Sequence, residues 1–152
     1  MKMNKDYSLA EISLVYRKAK TNEEAPKIVS SSDAAKIFRS FLDKDSMNIR
    51  EEAAVLFLNR ANKVIGAYKV SSGGICSTVV DIRLILGVAL KALSSSIVLA
   101  HTHPSGELKP SMADEHLTMK LKEAANYMDI KLLDHLILTT DTYFSFADEG
   151  II

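Results

Sequence analysis

The run from Ser96 to His103 constrains the fold more than any other stretch of this chain. Alternate side chains of a strand point to the same face. Ile97 and Leu99 then lie on one face and Val98 and Ala100 on the other, and both sets are apolar. A strand apolar on both faces has to be covered on both, which calls for a sheet with helices packed against it. His101 and His103 continue the face of Ile97 and Leu99, so two imidazoles emerge side by side at the strand's end. Such a pair is suited to chelate a metal ion. A bare His-x-His also occurs as a hydrogen-bonded pair near a sheet edge, so the metal reading needs support from elsewhere in the chain.

The helix that follows supplies that support. From about Ser111 to Tyr127, the residues Leu117, Leu121, Ala124, Ala125 and Met128 form an apolar stripe at helical spacing. Asp114 lies three residues before Leu117 and shares that inward stripe. A carboxylate facing a core is costly unless it meets a cation or strong donors. Glu115, His116, Lys122 and Glu123 fall on the outer side. Ser111 and Asp114 also read as a Ser-x-x-Asp capping box, and Ser111 can serve both purposes. Between strand and helix, Pro104 to Pro110 makes a stiff surface loop suited to a metal-site rim. His101, His103 and Asp114 are the ligand types that a catalytic zinc uses when one position stays open for water.

The remaining segments alternate between strand and helix. Ser30 to Asp33 offers N-caps for a helix carrying Ala35, Ile37, Phe38, Phe41 and Leu42. Ala53 to Leu58 and Val64 to Val70 read as a hairpin around a polar turn, broken by Ser71 to Gly74. Asp81 caps a helix through Leu93, and Lys131 to Thr139 and Tyr143 to Phe146 are late strands. The expected fold class is α/β, a mixed sheet flanked by helices. Residues 1–29 form an N-terminal extension with a strand at Ala10 to Tyr16 packed on the domain, and residues 30–152 form that domain.

Bulk properties exclude some functions. Lys and Arg number 19, equal to Asp and Glu, so no net basic field draws in nucleic acid. The local cluster Arg17 to Lys20 reads as solvated surface. The single Cys76 leaves no internal disulfide, in keeping with a reducing, cytoplasmic compartment. No apolar run follows the first residues, so no signal peptide is expected. The longest apolar run, Leu84 to Leu90, is too short to span a bilayer.

His101-x-His103-Pro-Ser-Gly followed by Pro110-Ser-x-x-Asp114 resembles the JAMM metalloprotease motif and, more closely, the RadC family. Val55 to Asn59 with Asn62 and Lys63, Ser71 to Gly74, Ala89, Leu90 and Ala92, and Leu132 to Ile137 with Ser145 and Phe146 are similar to the same family. The resemblance runs from about Ser30 to the C-terminus. It implies the JAMM/MPN layer architecture shared with cytidine deaminases. It also implies zinc on His101, His103 and Asp114, and a glutamate from an earlier strand that holds and deprotonates the water on the metal. Ser111 would donate to the developing oxyanion, and the scissile bond would be an amide, peptide or isopeptide in a protein or peptide substrate. Alignment by eye puts the glutamate at Glu51, eight residues before Asn59, with Glu52 as runner-up. Strand alternation does not choose, because both faces of Ala53 to Leu58 are apolar.

The chain departs from the family in places. Thr102 stands where many relatives carry Asn, which the wider JAMM pattern accepts. Longer relatives have an N-terminal helix-hairpin-helix segment, and nothing before Ser30 follows that pattern. The family's association with DNA repair finds no residue here that demands DNA. A zinc deaminase would use His-x-Glu and Pro-Cys-x-x-Cys, and this chain has neither. A non-catalytic metal-holding binding module, linked to DNA repair or replication, is a rival function, and a nuclease is suggested only by the family's name. His135 reads as a core histidine satisfied by its neighbours, with a contact behind the metal ligands as the second reading. Met112, Met119 and Met128 read as helix packing.

Overall fold

The computed structural model describes residues 24–73 and 79–152, so the strand expected at Ala10 to Tyr16 and the thiol of Cys76 lie outside the described residues. Chain order is α1 (Ser31–Phe41), α2 (Lys44–Met47), β1 (Glu52–Leu58), β2 (Val64–Ser72), α3 (Ile82–Lys91), β3 (Ser96–Thr102), α4 (Met112–Asn126), β4 (Lys131–Leu138) and β5 (Tyr143–Ser145). The strands form one mixed sheet in the order β2-β1-β3-β4-β5. β1 is antiparallel to β2 and β3, β3 and β4 are parallel, and β5 returns antiparallel to β4. The parallel β3–β4 pair needs a crossover, and α4 is that crossover. The expected α/β class, a mixed sheet flanked by helices, is what the chain adopts.

Local chemistry sets the ends of these elements. Ser30 caps α1 through a full capping box with Asp33, and Asp81 caps α3 by accepting from the Arg83 amide. At the β1–β2 turn the Asn59 side-chain oxygen accepts from the amides of Ala61 and Lys63. Asn62 holds φ 57 there, a left-handed conformation that Asn tolerates better than most residues. β2 continues through Ser72, past the break expected at Ser71. The single turn α2 was not anticipated, being too short to show a helical period. Asp43 caps it, and it delivers Met47 to the core.

The central strands separate two apolar layers. Ala54, Leu56, Val98, Ala100, Leu136 and Leu138 pack with Ala34, Ala35 and Phe38 of α1. Val55, Phe57, Ile97 and Leu99 pack with Ile85 and Ala89 of α3 and Leu121 and Ala125 of α4. β1 and β3 are buried along their whole length, and each buried Leu, Ile or Phe contributes about 1.5–3 kcal/mol. Ile28 joins the first layer and Lys27 bridges to Lys63, so packing extends N-terminal to residue 30.

Two details depart from simple periodicity. On α4 the inward column is Asp114, Thr118, Leu121 and Ala125, with Thr118 fully buried, whereas Met128 is half exposed beyond the helix end. On β4 the register jumps, so that Ile97 pairs Leu132 but Val98 pairs Asp134. Leu133 is the extra residue of this β-bulge. Leu132 faces the α3–α4 layer and Leu133 the α1 layer. Beyond the bulge the faces are exchanged: Leu136 and Leu138 face α1, and His135 turns to the α4 side.

Candidate metal centre

Strand and helix bring the three expected ligands together. β3 carries His101 to the sheet end, and the amide of His103 still donates to the Leu138 carbonyl at 3.0 Å, which extends the ladder by a residue. Ser111 caps α4 and starts the helix so that Asp114, at its third position, leans toward the histidines. His101 Nε2 lies 2.8 Å from His103 Nε2 and 3.2 Å from Asp114 Oδ1, and His103 Nε2 lies 3.9 Å from Asp114 Oδ2. Potential ligand atoms of the three residues all fall within 4.8 Å of one another. His101 is buried, and His103 and Asp114 are partly open to solvent.

The hydrogen bonding around these groups fits a cation. The Pro104 to Pro110 loop folds back through Gly106, whose φ of 81 suits glycine, and brings the Glu107 carbonyl 2.6 Å from His103 Nδ1. A carbonyl only accepts, so Nδ1 carries the proton and neutral His103 presents a lone pair at Nε2. That lone pair faces His101 Nε2 and the Asp114 carboxylate. Burial by itself would raise the Asp114 carboxyl. The hydroxyl and amide of Ser111, both donating to Asp114 Oδ2 at 2.7 Å, oppose that and favour the charged carboxylate. Lone pairs converging from imidazole and carboxylate repel one another unless a positive charge lies among them. The donor set is one that zinc and other first-row divalent ions accept.

A family model described as "RadC-like JAB domain" matches residues 28–151. The chain belongs to the RadC-like JAB domain family. Proteins described as UPF0758 proteins are similar to this RadC-like domain in three bacteria. The one from Flavobacterium johnsoniae is 47% identical over 125 residues, covering 82% of this chain and 53% of the relative. Those from Porphyromonas gingivalis and Streptococcus gordonii are 40% and 38% identical, over 86% and 84% of this chain and 58% and 55% of their own length. The RadC-like chain thus spans little more than half the length of the curated relatives it matches. Among its described residues no helix is long and apolar enough to cross a membrane.

The two candidate glutamates of the RadC-like domain part company. Ala53 pairs His101 across the β1–β3 ladder, and Ala53 shares a face with Val55 and Phe57 on the α3–α4 side. Extending the same register sets residue 51 opposite His103, on the metal-centre face. Its carbonyl accepts from the Gly73 amide at 2.8 Å, so the backbone is still laddered there. Glu52 takes the opposite face and is buried. Its Oε1 accepts from Lys69 Nζ at 3.0 Å and Ser72 Oγ at 3.4 Å. Thr102 clamps the segment: its hydroxyl donates to the Arg50 carbonyl at 3.2 Å and accepts from the Glu52 amide at 2.9 Å, the two backbone groups flanking Glu51.

Ser111 is fully engaged in its cap. Its hydroxyl donates to Asp114 Oδ2 at 2.7 Å, its amide donates to the same oxygen at 2.7 Å, and the Asp114 amide donates to Ser111 Oγ at 3.1 Å. His135 is buried, as a core histidine would be, and the neighbours that satisfy it belong to the metal centre. Its Nε2 lies 2.8 Å from His101 Nδ1, and its Nδ1 lies 2.6 Å from Thr118 Oγ1. Thr118 went unremarked in the sequence. Its position four residues after Asp114, on the same side of the helix, is the signal that would have found it.

Proposed function

We propose that this domain is a metal-dependent hydrolase of the JAMM type, holding zinc on His101, His103 and Asp114 and cleaving an amide, peptide or isopeptide bond in a protein or peptide substrate. The observation that carries this reading is the convergence of two imidazole Nε2 atoms and a carboxylate at the rim of the sheet. Zinc bound there supplies Lewis acidity and lowers the pKa of a water to roughly 7. Glu51 accepts the proton of the attacking water and passes it to the leaving amine. Its support is the β1–β3 register together with family resemblance. Ser111, released from Asp114, would donate its hydroxyl to the developing oxyanion. The α4 cap then serves both fold and chemistry.

Replacing Ser111 with Ala is expected to slow hydrolysis by ~100-fold through loss of one oxyanion donor, and to cost about 1 kcal/mol through loss of the cap. Rates and thermal melts on one preparation separate the effects. A lower melting temperature with an unchanged rate would leave Ser111 as a cap alone.

The reading is tested with metal-replete protein incubated with peptide and isopeptide panels, with and without chelator, beside elemental analysis. It expects one zinc per chain and turnover that chelation removes and zinc restores. No metal uptake overturns the metal centre. Metal uptake without turnover on any panel overturns the hydrolase in favour of a binding module.

A further inference from the structure

Behind His101 the hydrogen bonds form a chain with only one self-consistent direction. It starts at the backbone carbonyl of Asp114, which accepts from the Thr118 hydroxyl at 2.6 Å. A threonine hydroxyl has one proton, and that carbonyl uses it. The second contact of Thr118 Oγ1, 2.6 Å from His135 Nδ1, is therefore one in which the hydroxyl accepts and His135 Nδ1 donates. His135 is fully buried, and its hydrogen-bond partners are a hydroxyl and an imidazole with no carboxylate among them, so it is held neutral. A neutral imidazole protonated at Nδ1 has a bare Nε2. The 2.8 Å contact of that Nε2 with His101 Nδ1 then requires His101 to donate from Nδ1. His101 Nε2 is left as a lone pair, aimed at His103 and Asp114.

We infer that His135 and Thr118 are positioning residues that lock His101 in its metal-binding tautomer, with the backbone carbonyl of Asp114 as the reference that sets the direction. This rests on the metal centre proposed above. His103 needs only the loop carbonyl of Glu107 for the same purpose. Among the described residues the partner of His101 Nδ1 is instead His135 Nε2 of β4. The β-bulge at Leu133 is what aims His135 there, in line with the habit of bulges near functional sites to redirect one side chain. Phe146 stacks on the His135 ring at 4.7 Å between centroids and 10° between planes, which holds the ring against rotation. Both direct histidine ligands thus have their outer nitrogens spoken for. One end of the chain lies on the backbone of the third ligand, so helix α4 and strand β3 are tied through it.

The experiment is a long-range proton–nitrogen correlation of the imidazoles in the metal-free full chain at mildly alkaline pH, with zinc affinity measured by chelator competition. Wild type is expected to show His101 and His135 protonated at Nδ1. Thr118→Val keeps the volume and removes the acceptor. His135 then moves its proton to Nε2 and donates to His101, whose own proton shifts to the metal-facing nitrogen. Zinc affinity is expected to fall ~10–100-fold, the usual cost of losing an outer partner. Thr118→Ser retains the hydroxyl and is expected to restore both tautomers and affinity. Wild-type His101 protonated at Nε2 overturns the inference without need of any variant. So does a Thr118→Val protein with unchanged tautomers. The tautomers are read without metal or substrate, so a failure to detect hydrolysis leaves this result standing and counts against the proposed function alone.

Discussion

Exchanging His103 for Ala is expected to weaken zinc binding by more than ~100-fold, beyond the range that loss of an outer hydrogen-bond partner costs. Of the three proposed ligands, His103 can be removed with least effect on the fold. It lies past the end of β3 and is partly exposed, and among the described residues its ring meets His101 and the Glu107 carbonyl, with Asp114 Oδ2 at 3.9 Å. Zinc per chain, measured after gel filtration against a weak chelator, should fall from about one to none. Thermal melts of the metal-free proteins should nearly superimpose. His116→Ala is the matched control, because that histidine is exposed on α4 and outside the ligand group. Retention of stoichiometric zinc by His103→Ala would refute the metal centre.

Glu51→Gln is expected to keep the metal and lose turnover by ~10²–10⁴-fold, the range for removing a general base. Glutamine preserves the size of the side chain and the backbone bond to Gly73. Glu52→Gln is the informative partner. Glu52 sits on the other face of the sheet with Lys69 and Ser72, so its loss should cost about 1–3 kcal/mol of stability and leave turnover close to wild type. The converse result, a dead Glu52 variant and an active Glu51 variant, would mean that the base is misassigned. If both variants hydrolyse normally, neither glutamate takes the proton.

Much of the candidate metal centre was legible in residue order because it depends on short-range geometry. His101 and His103 share a face since strand side chains repeat every second residue. Asp114 points inward since it lies one helical turn before the buried Thr118 and two before the buried Leu121. Ser30, Asp81 and Ser111 announced the helix starts because their side chains satisfy amides only a few residues on. Less was legible where the period was short or broken. The four residues of α2 repeat nothing, and Met128 matched the apolar stripe yet falls after α4 has ended.

The sequence alone therefore determined which groups gather at one end of one strand and one helix, because those relations act over a few residues of regular backbone. The choice between the two faces of β1 belonged to the tertiary structure. Ala53 to Leu58 is apolar on both sides, so no pattern within it names the metal side, and only pairing with β3 at Ala53 and His101 does. The aim of His135 was likewise decided in three dimensions. Counting by twos from Leu132 sends it to the wrong face, and one extra residue at Leu133, accommodated against Ile97 and Val98 of the neighbouring strand, turns it round to His101.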